Sequence, residues 1–440
     1  MGSLVAVDAG RSRCRAAVIG VDGRPGPVAE GRGLPAGTGP ATVEGIVETL
    51  AATVTSAVVA AAAARHEVGQ IDVVSAGLAG LLGNRENAPA VAARLHDRLG
   101  APRVTLCGDV VAAHAGALPD PDGGVVVVAG TGSVAFGAVP VKIPEVDGRT
   151  PSPDGRSEGR HRDAARAGSG LESGPPDSGR MAANSPSGRS SRGATGPGEP
   201  GAVGSAGPGR GAFGMAGPGA VGAGAHGPGG VGVGGAGPGG GIWAFDSAVA
   251  CVDGWGYLLG DAGSGFWIGQ RGLDAALRAH DGRTGGSPVL ARLVERDVGP
   301  LDRLPELAAR AGAGPVAAIA SFSAQVAEAA AAGDEVARHI WREAATHLAD
   351  SAVACARRLN PTSAAPIALS WLGGLFSAPD PLLLEPFLAR IRATFPAADL
   401  MPPAGDALSG AARLASPTAR GALAGLVYDS SSPRPARVTA

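Results

Sequence analysis

Three glycine-rich loops carry residues whose types could do chemistry. Each follows a predicted strand, and together they are Asp8-Ala9-Gly10-Arg11-Ser12-Arg13, Gly130-Thr131-Gly132-Ser133 and Gly373-Gly374. Backbone N–H groups at such turns form anion-binding nests, and a hydroxyl adds a further donor to a phosphate oxygen. A structural turn explains any one of these loops equally well. Three of them, with an acid at the end of a strand, predict a nucleotide-binding cleft.

Three aspartates and a tryptophan are the other candidates for a reaction centre. Asp109 ends an apolar strand, and partial desolvation there suits a general base that takes a proton from an attacking hydroxyl. Asp261 lies in the glycine-rich run 260–265. For both, turn or helix-cap chemistry is the alternative. Asp8, at the end of the first strand, could orient Mg²⁺ or its waters. Trp255, between two glycines, lies either against a sugar face or in the core.

The lysine content excludes two classes of nucleotide-binding protein. Lysine occurs once in the chain, as Lys142. A P-loop needs a lysine after its glycines, and a protein kinase needs a strand lysine on the phosphates. Because Lys142 has neither context, any phosphate site must use glycine backbone, hydroxyls, a metal or arginine.

Charge and composition also restrict the partners and the compartment. A net charge of −2 with 3% aromatic residues predicts no nucleic-acid partner. The four cysteines lack CxxC spacing and are typical of small buried hydrophobes in a reducing compartment. The N-terminus has no basic region or cleavage site, and the alanine-rich run 51–64 is too short and polar to span a bilayer. We therefore predict a soluble, cytoplasmic protein without membrane contact.

Strands alternate with helices before residue 140 and again after residue 241. The predicted strands are Leu4–Val7, Cys14–Ile19, Ile71–Ala76, Val104–Cys107, Val125–Ala129, Val134–Gly137 and Ile367–Leu372. The predicted helices are Thr42–Ala64, Ala88–Leu99, a helix ending at Leu277, Asp302–Ala311, Ala317–Ala332, Glu335–Arg358, Leu382–Ala393 and Gly405–Leu414. This pattern predicts an α/β fold with a mainly parallel, buried sheet.

A long segment interrupts the pattern. Residues 140–241 are rich in Gly, Pro, Ser, Ala and Arg, with Gly-Pro-Gly triplets at steps of eleven and then ten residues. Glycine is not kept at every third position, which argues against a collagen helix. We predict a disordered insertion in a surface hairpin loop, with a tether or assembly role as the alternative. The predicted organisation is therefore an N-terminal domain at 1–139, the insertion at 140–241, a C-terminal domain at 242–428 and a flexible tail at 429–440.

In their order along the chain, these motifs resemble the N-acetylglucosamine kinase group. That group lies within the wider family of ATPase domains named for activators of benzoyl-CoA reductase and hydroxyglutaryl-CoA dehydratase. The run Gly254-Trp255-Gly256-Tyr257-Leu258-Leu259-Gly260-Asp261-Ala262-Gly263-Ser264-Gly265 is the most specific part of the resemblance. The resemblance implies two actin-like ATPase (ribonuclease H-like) domains around a cleft.

The resemblance also implies a role for each motif. ATP would be bound by the first loop, with Asp8, Gly10 and Ser12, and by Gly130, Thr131, Gly132, Ser133, Gly373 and Gly374. Mg²⁺ would accompany the ATP near Asp8, and Asp109 would be the base. The sugar, most simply N-acetylglucosamine, would be lined by Asp109, Gly254, Trp255, Gly256, Tyr257 and Asp261. Relatives of this kind imply a homodimer.

Four positions depart from the family pattern. Arg11 replaces a glycine of the first loop, Ala262 replaces an acid, and Asp253 replaces a common glycine. The family's early asparagine, a sugar ligand, is absent, and Gly39 stands in its place. Two alternatives to a kinase therefore stay open, namely a degenerate sugar or nucleotide sensor and an activator-type ATPase.

Overall fold

The computed structural model describes residues 3–20, 22–35, 39–66, 68–118, 120, 123–140, 247–306, 314–360, 366–379 and 381–431. All of them belong to one compact unit formed by residues 1–143 and 225–440. The predicted insertion lies outside the described residues, except for Pro140, which ends a strand.

The first lobe is built on a six-stranded mixed sheet. Its strands are β1 (Ser3–Ala9), β2 (Arg13–Ile19), β3 (Ala29–Arg32), β4 (Ile71–Leu78), β5 (Arg103–Gly108) and β11 (Tyr428–Asp429). The order across the sheet is β11-β5-β4-β1-β2-β3. Strands β1, β4 and β5 run parallel, whereas β2, β3 and β11 are antiparallel to their neighbours. The prediction of a mainly parallel sheet is therefore wrong, because β2 and β3 at one edge and β11 at the other pair antiparallel.

The second lobe repeats this topology. Its strands are β6 (Gly124–Ala129), β7 (Ser133–Pro140), β8 (Ser247–Asp253), β9 (Ile367–Leu372) and β10 (Ala398–Leu400), in the order β10-β9-β6-β7-β8. Again the first strand pairs antiparallel with a hairpin partner on one side and parallel with a later strand on the other. The central strand β6 is almost all valine and almost fully buried, as expected for a strand covered on both faces.

Helices cover both sheets. In chain order they are α1 (Pro40–Ala63), α2 (Ala88–Leu99), α3 (Asp109–Ala117), α4 (Gly265–His280), α5 (Pro288–Asp297), α6 (Pro315–Ser321), α7 (Ser323–Ala331), α8 (Glu335–Leu359), α9 (Leu384–Thr394) and α10 (Ala407–Leu414). Helix α8 packs on β6, β7 and β8. It buries Ile340, Trp341 and Leu348 in the core of the second lobe, at the 3.6-residue spacing of an amphipathic helix.

Helix α1 is the one described helix that is long and apolar enough to cross a membrane by length and composition. It begins eleven residues before the alanine-rich run 51–64, which was predicted to be too short to span a bilayer. Its Val47, Leu50 and Val54 are buried in the core of the first lobe, and the helix packs against β2 and β3. These contacts are those of a core helix.

Helices α3 and α10 lie in a third core cluster, which joins the two lobes. Val126 and Phe136 of the second sheet share this cluster with Ala6 and Ala17 of the first. The C-terminal segment thus returns to the first lobe, where β11 pairs with β5 and α10 packs on β1 and β4. Asp429, which the sequence places in the flexible tail, forms a buried ion pair with Arg420 at 2.5 Å. Residues 432–440 of that tail lie outside the described residues.

Several predicted elements agree with the structure and others do not. The helix Ala88–Leu99 and the strand Ile367–Leu372 have the predicted bounds. The helix predicted over Ala317–Ala332 is instead two helices that meet at the buried Phe322. Of the helix predicted over 302–311, the structure describes a 3₁₀ turn at Leu301–Arg303 and helical residues to 306. Strands β3 and β8 and helix α5 were not predicted.

Candidate active site

The first two glycine-rich loops meet although 119 residues separate them. The hydroxyls of Ser12, in the β1–β2 turn, and Thr131, in the β6–β7 turn, lie 3.1 Å apart. Each turn is closed by the N–H of its first glycine, since Gly10 donates to Arg13 and Gly130 donates to Gly132. The two predicted phosphate-binding hydroxyls therefore come together where the two sheets face each other.

The third loop adjoins the second through the strands β6 and β9, which are parallel neighbours. Gly373 has a φ of 110°, and a Cβ there would overlap the carbonyl of Ala129. Only glycine fits this position. At Gly130 and at Gly374 a Cβ would meet no atom within 4 Å. The backbone at these two glycines is open to a ligand, which fits a nucleotide lying along this edge.

Asp8 is held by an arginine. Arg15 donates to its carboxylate from Nη2 at 2.7 Å and from Nε at 3.2 Å. The same guanidinium contacts Asp406, at the start of α10, at 3.0 Å. The described residues contain no cluster of three or more His, Cys, Asp or Glu that could hold a metal ion. A single carboxylate is compatible with Mg²⁺, which keeps several waters and binds mainly substrate phosphates, but Asp8 would share its charge with Arg15.

Asp109 is the first residue of α3, directly after β5, and Gly108 is the helix N-cap. Its Oδ1 accepts the backbone N–H of Val110 at 2.9 Å. Burial raises the pKa of Asp109 to about 6, and the negative charge of Asp8 acts in the same direction. The Val110 N–H and the Arg11 guanidinium oppose this rise in pKa. The carboxyl thus titrates near neutral pH, as a general base should.

The Arg11 side chain lies against Pro35 and Gly80. Its guanidinium donates to the carbonyl of Pro35. It also covers Gly80, where a Cβ would lie 2.6 Å from Nη2. Arg11 therefore lies beside the end of β4, and its positive charge lowers the pKa of Asp109.

The run 254–265 forms a loop with several left-handed residues, followed by α4. Asp253, Gly254, Gly256, Asp261 and Gly263 all have positive φ. Positive φ is uncommon for residues with side chains, as at Asp253 and Asp261, and such positions are often found at functional sites. The side chains that the loop displays are apolar and exposed. The exposed fraction is 50% for Trp255, 45% for Tyr257, 78% for Leu258 and 84% for Leu259. The alternative of Trp255 as a core residue is therefore wrong.

Two aspartates hold this loop together. The carboxylate of Asp253 accepts the N–H groups of Asp261 at 2.8 Å and Ala262 at 2.9 Å. Burial and the charge of Asp253 raise the pKa of Asp261, and the nearby backbone N–H groups of Ser133 and Gly256 lower it. The sequence marks Asp253 only as a departure from the family. An aspartate just before a Gly-x-Gly turn, where Asp both tolerates positive φ and accepts nearby N–H groups, is the signal that could have identified it.

Gly39 is the N-cap of α1, with a φ of 128° and ψ of 175°. This backbone region is almost restricted to glycine. An asparagine at residue 39 would be strained in this conformation. Residues 36–38 lie outside the described part of the chain.

Comparison with known proteins identifies the fold. Residues 215–385 match the BadF/BadG/BcrA/BcrD ATPase family. A solved structure from Chromobacterium violaceum, provisionally assigned as an N-acetylglucosamine kinase, is 21% identical, with a TM-score of 0.55 over 94% of this chain and 99% of that chain. A provisionally assigned N-acetylglucosamine kinase from Porphyromonas gingivalis is 14% identical, with a TM-score of 0.50 over 96% and 99% of the two chains. No curated protein sequence matches the chain.

These findings confirm the resemblance that the motifs indicate. At these identities the two solved structures establish the fold, and the family match covers residues of the second lobe. The chain therefore has the two-domain actin-like fold of these structures, with a BadF/BadG/BcrA/BcrD ATPase family match over residues 215–385.

Proposed function

We propose that the protein transfers the γ-phosphoryl group of ATP to a hydroxyl of an amino sugar, most simply N-acetylglucosamine. The observation that carries this proposal is the meeting of Ser12 and Thr131 at 3.1 Å. Two loops from two repeats of one topology bring their hydroxyls to a single point. Glycines that leave the backbone open line the same edge. That arrangement suits a chain of phosphates, and the ATPase family match supports it.

Asp109 is the proposed general base. With a pKa of about 6, it is ionised at neutral pH and can accept the proton of the attacking hydroxyl. Loss of that proton makes the hydroxyl oxygen a better nucleophile toward phosphorus. The bond from Val110 N–H fixes the carboxylate at the start of α3, so the base is oriented before the sugar arrives.

Ser12 and Thr131 would hold phosphate oxygens, and Gly373 and Gly374 would border the adenosine. When bound, Mg²⁺ would neutralise charge on the β- and γ-phosphates. The residues near Asp8 would hold it through water and one carboxylate, with Arg15 keeping that carboxylate in place.

Residues 254–260 would provide the sugar platform. Trp255 is flanked by glycines and half exposed, so an apolar ring face is available to stack on a sugar. Because Gly39 supplies no side-chain amide, recognition of an acetamido group would rely on other donors. We place the enzyme in the cytoplasm as a homodimer, since its cysteines are free and its motifs resemble those of such kinases.

A non-catalytic sugar sensor is the second candidate. The ion pair between Asp8 and Arg15 favours it, because Arg15 offsets the charge of the carboxylate proposed to hold Mg²⁺. An activator-type ATPase is less well supported. Cys14, Cys107 and Cys355 are buried, and burial raises the pKa of each thiol, which disfavours the thiolates that ligate clusters.

The test is coupled ADP release from Mg-ATP with N-acetylglucosamine, glucosamine and glucose, for the wild-type protein and Asp109→Ala. We expect sugar-dependent ADP release that falls by at least about 100-fold in the variant, the usual contribution of a general base. ADP release without sugar dependence would support the activator. Sugar binding without any turnover would support the sensor.

A further inference from the structure

Asp261 joins the two loops that would hold the two substrates. Its carboxylate lies near the backbone N–H groups of Gly256, in the sugar platform, and Ser133, in the second phosphate loop, and both lower its pKa. A Cβ at Gly132 would lie 2.8 Å from its Oδ2, so the carboxylate rests directly on that loop. By resemblance alone Asp261 is a sugar ligand, whereas its contacts are those of a bridge between loops.

The bridge is held rigidly on its own side. Asp261 has a φ of 58°, an uncommon conformation for a residue with a side chain. The carboxylate of Asp253 fixes this conformation by accepting the N–H groups of Asp261 and Ala262. Gly260 has to be glycine, because a Cβ there would overlap the Oδ1 of Asp253.

The phosphate loop is also fastened to the segment that follows Asp261. Gly265 N–H donates to Gly130 at 2.7 Å, and Phe266 N–H donates to Thr131 at 3.1 Å. Ser133 Oγ donates to the carbonyl of Ala262 at 3.0 Å. A shift of the sugar platform can therefore reach Thr131, whose hydroxyl meets Ser12 of the other lobe.

We propose that Asp261 is a positioning residue that couples the two substrate sites, so that sugar bound at 254–260 tightens nucleotide binding at Thr131, and the reverse. The proposal rests on the proposed function for the identity of the two ligands. Coupling between two sites is reciprocal, and each ligand must change the affinity of the other by the same factor.

The experiment measures that factor directly. The Kd of the non-hydrolysable analogue AMPPNP with Mg²⁺ is measured by calorimetry with and without saturating N-acetylglucosamine, glucosamine or glucose. In the wild-type protein we expect the effective sugar to lower the Kd of AMPPNP about 5-fold or more. In Asp261→Asn, which keeps the size but loses an accepting oxygen, and in Asp261→Ala, we expect that ratio to approach one. The ratio cancels a general loss of AMPPNP affinity, and a sugar titration of each variant confirms that the sugar is saturating.

Asp274→Asn is the matched control. Asp274 lies on α4, and its ion pair with Arg278 at 2.7 Å joins two residues of that helix and neither loop. It should keep the wild-type ratio, and circular dichroism should show all variants folded. An undiminished ratio in folded Asp261→Asn would overturn the proposal, as would a wild-type ratio of one with both ligands bound. Failure of every sugar to bind, while AMPPNP binds, would overturn the proposed function as well.

Discussion

Arg11 sets the charge around Asp109, the proposed base, and not only around a phosphate. Its guanidinium is the positively charged group that opposes the burial of the Asp109 carboxylate. The family's glycine at this position would remove that opposing positive charge. The arginine at position 11 therefore changes the pKa of the proposed base as well as the space beside the first glycine-rich loop.

This charge predicts the pH dependence of the activity. Only ionised Asp109 accepts a proton, so kcat/KM should fall as the pH drops through about 6. In Arg11→Gln the pKa of Asp109 rises further, and the acid limb should move to higher pH. Arg13→Gln is the control, because Arg13 is exposed and pairs with Glu30. An acid limb that stays in place in Arg11→Gln would contradict this electrostatic role.

The buried carboxylate of Asp109 should also lower the free energy of unfolding when it is ionised. Its folded pKa of about 6 lies above the ordinary value of 3.8, so the folded state loses stability as the pH rises from about 4 to about 6. At pH 8, Asp109→Asn should therefore unfold at higher temperature, by an amount corresponding to about 2 to 3 kcal/mol. At pH 4 the difference should largely vanish. Thermal unfolding at both values checks this. A less stable variant at pH 8 would contradict the cost of burying the ionised carboxylate.

Sequence motifs predict where Ser12, Thr131, Asp109 and the late glycine pair lie, because their roles depend on the ends of strands. Strand ends follow from the apolar pattern. The side-chain directions of Arg11 and Asp253 do not follow from it, since each is set by a backbone group distant in the chain or by a left-handed turn. The orientation of Asp261 toward the phosphate loop has the same origin.

At the scale of elements, the two helices between the sheets depend on glycine. A Cβ at Gly410 of α10 would overlap the carbonyl of Ala112 in α3, and one at Gly116 would overlap the carbonyl of Asp406. The helices thus cross at backbone contact. Because α3 begins at Asp109 and α10 follows Asp406, this crossing positions both the proposed base and a partner of Arg15.

Gly410→Ala should force the helices apart. We expect a loss of about 1 to 3 kcal/mol of stability, as for other overpacked cores, together with a lower kcat from a displaced Asp109. Gly83→Ala is the control, because a Cβ there meets no atom within 4 Å. Urea unfolding and ADP release measure the two effects. If Gly410→Ala gained stability, as alanine does in an open helix, the close crossing would be wrong.

Strand β3 and helix α5 are short and partly polar, so the sequence pattern did not predict them. Strand β3 has only four residues and alternating exposure, so it lacks the apolar run that marks β1 or β6. Helix α5 begins after Ser287, which caps Leu290 N–H, with proline in its first turn. Those capping signals were present in the sequence, but the segment is short and half polar. The antiparallel strand pairs of the two mixed sheets depend on which strands pair, and the local hydrophobic pattern of each strand does not encode that.

At the scale of the whole molecule, two copies of one topology face each other, and the insertion leaves from the end of the β7–β8 hairpin. Pro140 and Ser247 are paired across that hairpin, whereas Val134 and Asp253 are paired at the end near the loops of the candidate site. Six residues of strand separate these pairs, a distance of roughly 20 Å. The chain therefore departs far from the candidate site, although the sequence interval begins only a few residues after Ser133.

Replacing residues 141–246 by Asn-Gly should therefore leave the catalytic unit intact. Paired strand ends can be joined by a two-residue turn, for which Asn-Gly is favoured. We expect a folded protein whose kcat and KM for ATP and sugar stay within about 2-fold of the wild-type values, since loop length adds little to stability. ADP release, thermal unfolding and the mass in solution are measured side by side. A folded variant that loses activity would assign the insertion a part in the reaction. Unchanged activity with a smaller assembly would instead support the tether or assembly role.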